Sequence, residues 1–291
     1  MKKVKINKER IIEIGFVLIF LVMMCIDLSM RINTIKIGVV RGDRDESSNS
    51  ELRVELQEHL QEVYGDVQVS LHYYGDASAL FKALEQDGIQ LGFVSGVDYA
   101  LYGEDSKVIA AENVIEYGGE KYPYYTAILL EKSNEDEFYF KKDISSLQYC
   151  VFEPTSLVGY IFIRPYFDEQ GMSFANMSNV SVIDSYDVSI ESLANGTCDV
   201  SVGYMGILED YSEIWGLLTE EASDIYEDLR IVYVSDKIYS SSVVVSSSLE
   251  HNRVTYDILR YLYSKDYSNS KSSDYTIMRE QIWKVLGNTQ K

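Results

Sequence analysis

The sequence predicts an α/β protein of two doubly wound lobes, joined by two crossover strands and preceded by an N-terminal membrane segment. Three observations carry that expectation. Short apolar runs of strand length alternate with amphipathic runs of helical period, and that rhythm implies parallel sheets with helices on both faces. The rhythm occurs twice, from Thr34 to Ile115 and again from Tyr149 to Tyr204. Single strands, Tyr124 to Glu131 and Leu229 to Val234, lie between and after the two series and lead the chain out and back. Two units with two crossovers leave a cleft between them, and ligands of α/β folds bind at the carboxyl ends of strands. The expected division is a leader at 1–31, a first lobe at 34–125 and 240–291, and a second lobe at 126–239.

The leader comes first. Lys2, Lys3, Lys5, Lys8 and Arg10 stand against Glu9 alone, and Ile14 to Ile26 then runs thirteen residues without a charge. Basic residues ahead of an apolar run keep the N-terminus inside and place the body outside the membrane. Thirteen residues suits a signal core of about 7–15, while the longer stretch Ile11 to Leu28, broken only by Glu13 and Asp27, approaches a full span of about 20. No small-x-small cleavage site follows it, and Met24 occupies the place before Cys25 where a lipoprotein signal has a small residue. The expectation is an uncleaved signal anchor in the cell membrane, with lipidation at Cys25 or cleavage and secretion as alternatives.

In the first series, Thr34 to Arg41 is a strand, Gly42 to Asn49 a polar turn, and Ser50 to Tyr64 a helix with Leu52, Leu56, Leu60 and Val63 on one face. Strands at Val67–Tyr73 and Gln90–Val94 flank a helix that Asp76 caps. The turn Ser95-Gly96-Val97-Asp98 opens the next helix at Tyr99, and Val108 to Ile115 is a strand. In the second series a strand, Tyr149 to Phe152, passes through Glu153–Ser156 into a helix running from Leu157 to about Gln170. Strands Val180–Ile183 and Asp199–Tyr204 flank a helix at Asp187–Asn195. Glu209 to Asp228 reads as acidic helix and Ser241 to Ser246 as a strand. Helices at Val254–Tyr263 and Ile277–Leu286 close the chain around a polar, serine-rich turn.

Composition excludes several functions. The formal net charge is −20, so the body repels nucleic acid and anionic lipid at long range. His59, His72 and His251 are isolated, without metal spacing, and His59 falls on the polar side of its helix. No nucleophile elbow, HExxH, Walker loop or CxxC pair is present, which argues against an enzyme, a metal or a cofactor. Cys150 and Cys198 read as two buried free thiols, with pairing outside the cell as the alternative. Twenty-four tyrosines is a high count, suited to clefts and to cores alike.

Four segments together resemble a known family. They are Ala79 to Tyr102, Leu147 to Gly171, Tyr186 to Tyr204 and Leu229 to Leu249. Their order and spacing are similar to those of the extracytoplasmic solute-binding proteins of ABC importers for phosphonate, phosphite and phosphate. The resemblance implies the type II periplasmic-binding fold, a small-molecule ligand in the interlobe cleft and an ABC permease as partner. It implies ligand contacts from Ser95, Gly96 and Tyr99 on one lobe and from Thr155, Ser156, Tyr160, Asp187 and Tyr204 on the other. Leu157 and Val158 stand where the family has two further hydroxyls, Tyr186 where it has a histidine, and Tyr204 where it has a carboxylate. A cleft so changed suits a less charged or partly aromatic ligand. The alternative reading keeps the fold and the anchor but makes the chain a sensory domain that reports ligand to a partner membrane protein.

Overall fold

The structure, a computed structural model, describes residues 34–42, 45–133, 144–172, 177–219 and 224–286. The expected signal anchor and Cys25 lie outside the described residues. Among the described residues no helix is long and apolar enough to cross a membrane.

The first sheet has six strands in the order β13-β4-β12-β3-β1-β2. Its strands are β1 (Thr34–Val40), β2 (Gln68–Tyr74), β3 (Leu91–Ser95), β4 (Lys107–Glu112), β12 (Ser241–Val245) and β13 (Tyr267–Asn269). The second has five, in the order β11-β7-β10-β8-β9. They are β7 (Tyr124–Lys132), β8 (Tyr149–Val151), β9 (Val180–Val182), β10 (Val200–Tyr204) and β11 (Leu229–Tyr239). A small hairpin, β5 (Ile115–Tyr117) and β6 (Glu120–Tyr122), stands on the outward connection.

Both sheets are mixed, which corrects the expectation of parallel ones. β1 pairs parallel with β2 and β3, but β12 inserts antiparallel between β3 and β4. In the second sheet β10 is parallel to β8 and antiparallel to β7. The reason is topological. β7 and β12 arrive from the other lobe, so each enters its sheet from the cleft end and runs against strands that point toward the cleft.

Helix α1 (Glu46–Tyr64) begins earlier than its apolar pattern suggests, because the Asp45 side chain accepts from the Ser47 and Ser48 N–H groups. That start places Asn49 with Leu56 and Leu60 on the buried face and leaves Val63 outside. His59 is half-buried rather than solvated, its ring 5.3 Å from that of Tyr261. The serine-rich stretch near the end is not only a turn: Tyr267 to Asn269 forms β13, and its Tyr267 ring meets Phe93 edge-on. The acidic stretch after β10 breaks into short helices, Ile207–Asp210, Ser212–Leu218 and Ile225–Asp228. They wrap Trp215, which is fully buried and donates its indole N–H to Asp228 at 2.8 Å.

Cys150 and Cys198 form a disulfide with Cα atoms 5.9 Å apart, so the reading as free thiols is corrected. The parallel pairing of β8 with β10 sets Cys150 opposite Ser201, and the chain entering β10 passes within reach.

The crossovers meet at a point. The outward one reaches Pro123 just before β7, the return one passes Ser240 between β11 and β12, and the Ser240 N–H lies 3.5 Å from the Pro123 carbonyl. The last helix, Thr276–Leu286, spans the junction. Its Arg279 donates to the Ala100 carbonyl on the first lobe at 2.8 Å, and its Lys284 pairs with Asp168 on the second at 3.5 Å. Met278 and Ile282 of this helix are fully buried in a core that includes Leu80 and Tyr99 from one side and Leu129 and Phe167 from the other.

Candidate ligand-binding site

Each lobe leads a strand end into a helix start, directly in the first lobe and through Phe152 to Ser156 in the second, and the two turns carry most of the expected site residues. In the first lobe β3 follows α2 (Ala77–Glu85) and runs into α3 (Gly96–Tyr102) without a loop. The Ser95 hydroxyl accepts from the Asp98 N–H at 3.0 Å and donates to the Asp98 carboxylate at 2.9 Å, a reciprocal cap that occupies both of its roles. Gly96 is buried against the return crossover. A Cβ there would lie 1.9 Å from the Tyr239 carbonyl oxygen, so only glycine lets the two backbones pass. Tyr99 is fully buried, its ring edge-on to Tyr275 at 4.7 Å and its hydroxyl donated to the Ser106 carbonyl at 2.9 Å. Burial raises its pKa. Expected at the cleft, Tyr99 here belongs to the packing behind it.

The second-lobe turn is built differently. Ser156 caps it by accepting from the Gly159 N–H at 3.0 Å, while its backbone N–H donates to the Glu153 carbonyl at 2.9 Å. The segment Leu157–Ile161 has π-helical rather than α-helical bonding: Ile161 N–H reaches Ser156 O and Phe162 N–H reaches Leu157 O, both at 2.9 Å. The expected continuous helix to Gln170 is therefore two pieces. The second, Arg164–Glu169, restarts with Pro165 in its first turn, where the ring has no N–H to extend the preceding one. Five residues of π-helix and seven of α3 carry little aligned dipole, so hydroxyls and individual backbone groups must do the recognition.

This turn opens on a pocket of about 660 Å³ at the carboxyl ends of β8 and β9. Phe152, Val182, Ile183 and Val188 give it apolar surface, and Ser156, Glu153 and Asp184 give it polar surface. Thr155 is exposed nearby and donates to Glu153 at 2.9 Å. Tyr160 is half-buried and packs against the shared core.

An aromatic row continues from the pocket. The Tyr186 ring stands between Phe152, at 4.9 Å, and Tyr204, at 4.8 Å. The Tyr204 hydroxyl donates to Asp210, and the Tyr211 hydroxyl donates to the exposed Asp187 at 2.6 Å. Burial pushes the phenols of Tyr186 and Tyr204 upward and that of Tyr211 to about 12, so all three are neutral donors at physiological pH. The structure thus brings Thr155, Ser156, Tyr160, Asp187 and Tyr204 to one end of the second sheet, with Ser95 and Gly96 at the corresponding end of the first. Sequence reasoning passed over Phe152, Tyr211 and the two pocket acids. Phe152 was legible as the residue ending a buried strand, whereas Tyr211 lay in a stretch taken for a plain acidic helix.

A two-lobed α/β protein whose two sheets are joined by two crossover strands has the architecture of a periplasmic-type binding protein. Residues 42–279 match the family described as "ABC transporter, phosphonate, periplasmic substrate-binding protein", and the chain belongs to it. It is accordingly an extracytoplasmic solute-binding protein that serves an ABC permease, and not an enzyme. The comparisons favour transport over the sensory alternative. No curated protein matches the chain in sequence. Among solved structures, a Xanthomonas citri protein bound to ATP is 10% identical, with a TM-score of 0.52 over 89% of this chain and 100% of that one. A binding protein component of an ABC phosphonate transporter from Pseudomonas aeruginosa is 15% identical, with a TM-score of 0.42 over 87% and 86%. PhnD1 from Prochlorococcus marinus in complex with methylphosphonate is 14% identical, with a TM-score of 0.46 over 87% and 98%. At such identities the likeness is one of fold.

Proposed function

We propose that the chain captures an organic phosphonate bearing an apolar or aromatic substituent, with the head group at Ser156 and the substituent against Phe152 and Tyr186. The observation that carries this is the state of the Ser156 hydroxyl. Its oxygen accepts from Gly159, and its hydrogen has no acceptor among the described residues, in a pocket that sets Phe152, Ile183 and Val188 beside Glu153 and Asp184. Thr155 and Tyr160 flank the head group, Tyr204 and Asp187 border the substituent, and the Ser95-Gly96 turn with Tyr99 behind it closes from the first lobe. Leu157 and Val158 withhold two hydroxyls, and Glu153 and Asp184 repel a second negative charge. A monoanion with hydrophobic bulk fits that balance better than inorganic phosphate.

The lobes comprise 34–125 with 240–291 and 126–239, and ligand closes them by hinge motion about the Pro123–Ser240 contact. The leader at 1–31 tethers the body to the outer face of the membrane as an uncleaved anchor. Calorimetric titration tests the reading. Phenylphosphonate should bind more tightly than methylphosphonate, and methylphosphonate more tightly than phosphate. Phosphate binding tightest would refute it.

A further inference from the structure

A second pocket, of about 330 Å³, lies where the outward crossover enters the second sheet. That volume is at the lower end of the range for small-molecule sites, roughly 300–1,000 Å³. The walls come from the β5–β6 hairpin and the start of β7: Tyr117, Tyr122, Tyr124 and Tyr125 supply ring surface, and Met205 closes the floor. Two polar groups enter this apolar lining, Lys237 and Thr126.

Their placement follows from a bulge in β11. Val234 pairs with Ile128 and Lys237 with Thr126, so β11 fits an extra residue into this step. Ser235 holds the bulge by accepting from the Ala127 N–H at 2.9 Å and donating to the Asp236 carbonyl at 2.7 Å. Directly opposed residues of an antiparallel pair project to the same face. The bulge therefore sets Lys237 directly opposite Thr126 on the face that carries the pocket. Lys237 Nζ sits 4.1 Å from the centre of the Tyr124 ring. Thr126 Oγ1 is buried and has no hydrogen-bond partner among the described residues, a costly state unless something binds there.

We infer that this pocket is a second ligand site, for a flat aromatic carboxylate. The rings take the aromatic body by stacking, Lys237 takes the carboxylate, and Thr126 donates the second hydrogen bond. No acid lines the pocket, so a cationic ligand would meet Lys237 without a counter-charge. The site does not depend on the phosphonate reading, since it shares no lining residue with the Ser156 pocket. It adjoins the crossovers, between the hairpin and the bulge, so its occupant would bias hinge closure.

The experiment is a calorimetric titration of the full chain with indole-3-acetate, tryptamine and indole-3-ethanol. Indole-3-acetate should bind, and the cationic and neutral analogues should bind about tenfold more weakly or worse. Lys237→Met, which keeps the aliphatic stem, should weaken indole-3-acetate by about tenfold or more. Thr126→Val should weaken it as well while unfolding no earlier than the parent, because it removes an unpartnered buried hydroxyl. Absence of indole-3-acetate binding, equal binding of tryptamine, or unchanged affinity in Lys237→Met overturns the inference. Ser156→Ala should leave indole-3-acetate affinity unchanged, which keeps this test separate from that of the phosphonate site.

Discussion

The turns at Ser95 and at Ser156 have the same outline, a strand end, a serine cap and a short helix, yet they are finished in opposite ways. At Ser95 every group is committed: the hydroxyl serves Asp98 twice, Gly96 lies against the return crossover, and Tyr99 is packed out of reach of solvent. At Ser156 the hydroxyl keeps its hydrogen, the π-turn folds back over Phe152, and a pocket opens beside it. A serine cap next to a strand end is therefore no sign of a site. The same motif makes a sealed joint where a crossover presses on it and borders an open pocket where nothing does.

The largest expected effect concerns what braces the open turn. Reducing the Cys150–Cys198 bond, or replacing both residues by serine, frees a loop with a sequence separation of 48. Chain entropy puts the loss at about 4 kcal/mol, read as a lower urea midpoint. An unchanged midpoint would mean that the sheet alone holds the open turn.

Next come the two glycines, which separate joint from surface. Gly96→Ala must displace backbone, the Tyr239 carbonyl, and should cost about 3 kcal/mol. In Gly159→Ala the new methyl meets Cβ as well as the ring of Phe152, and no rotamer moves that Cβ, so the loss should be of similar size, about 3 kcal/mol. Because Phe152 borders the pocket, only Gly159→Ala should also weaken phenylphosphonate binding, by about tenfold. Weakening confined to Gly96→Ala would erase the distinction between the turns.

Smaller still is the pH response, which involves both regions. Burial raises Tyr239 and Tyr275 at the joint, and Tyr211 at the mouth, to about 12. An unfolded tyrosine ionises near about 10. Each folded-state pKa is raised, so the stabilisation is whole below pH ~10 and is lost as pH climbs toward ~12. Urea midpoints should be flat from neutrality to about pH 9 and fall through that window, less steeply in Tyr275→Phe than in the parent.

Much of the frame was legible because it rests on local pattern. Asp76 capping its helix, the buried runs of β1 and β3, and the four family-like segments are each written within about twenty residues of chain. What escaped is set by partners distant in sequence. β12 runs antiparallel because it returns from the other lobe, and Tyr267 joins a strand because β4 offers an edge. Ser156 was readable through the family-like segment around it, but the burial of Tyr99 was not. That burial depends on Tyr275, far along the chain, and a tyrosine after a turn reads alike whether it faces ligand or core.

The contrast between the turns comes down to one pair of substitutions. Ser95→Ala and Ser156→Ala should each cost about 1 kcal/mol of stability through loss of a cap. In calorimetric titration with phenylphosphonate, Ser156→Ala should weaken binding by about tenfold, and Ser95→Ala should leave it within about twofold. Equal losses in the two variants, or a loss confined to Ser95→Ala, would contradict the assignment of recognition to the second-lobe turn.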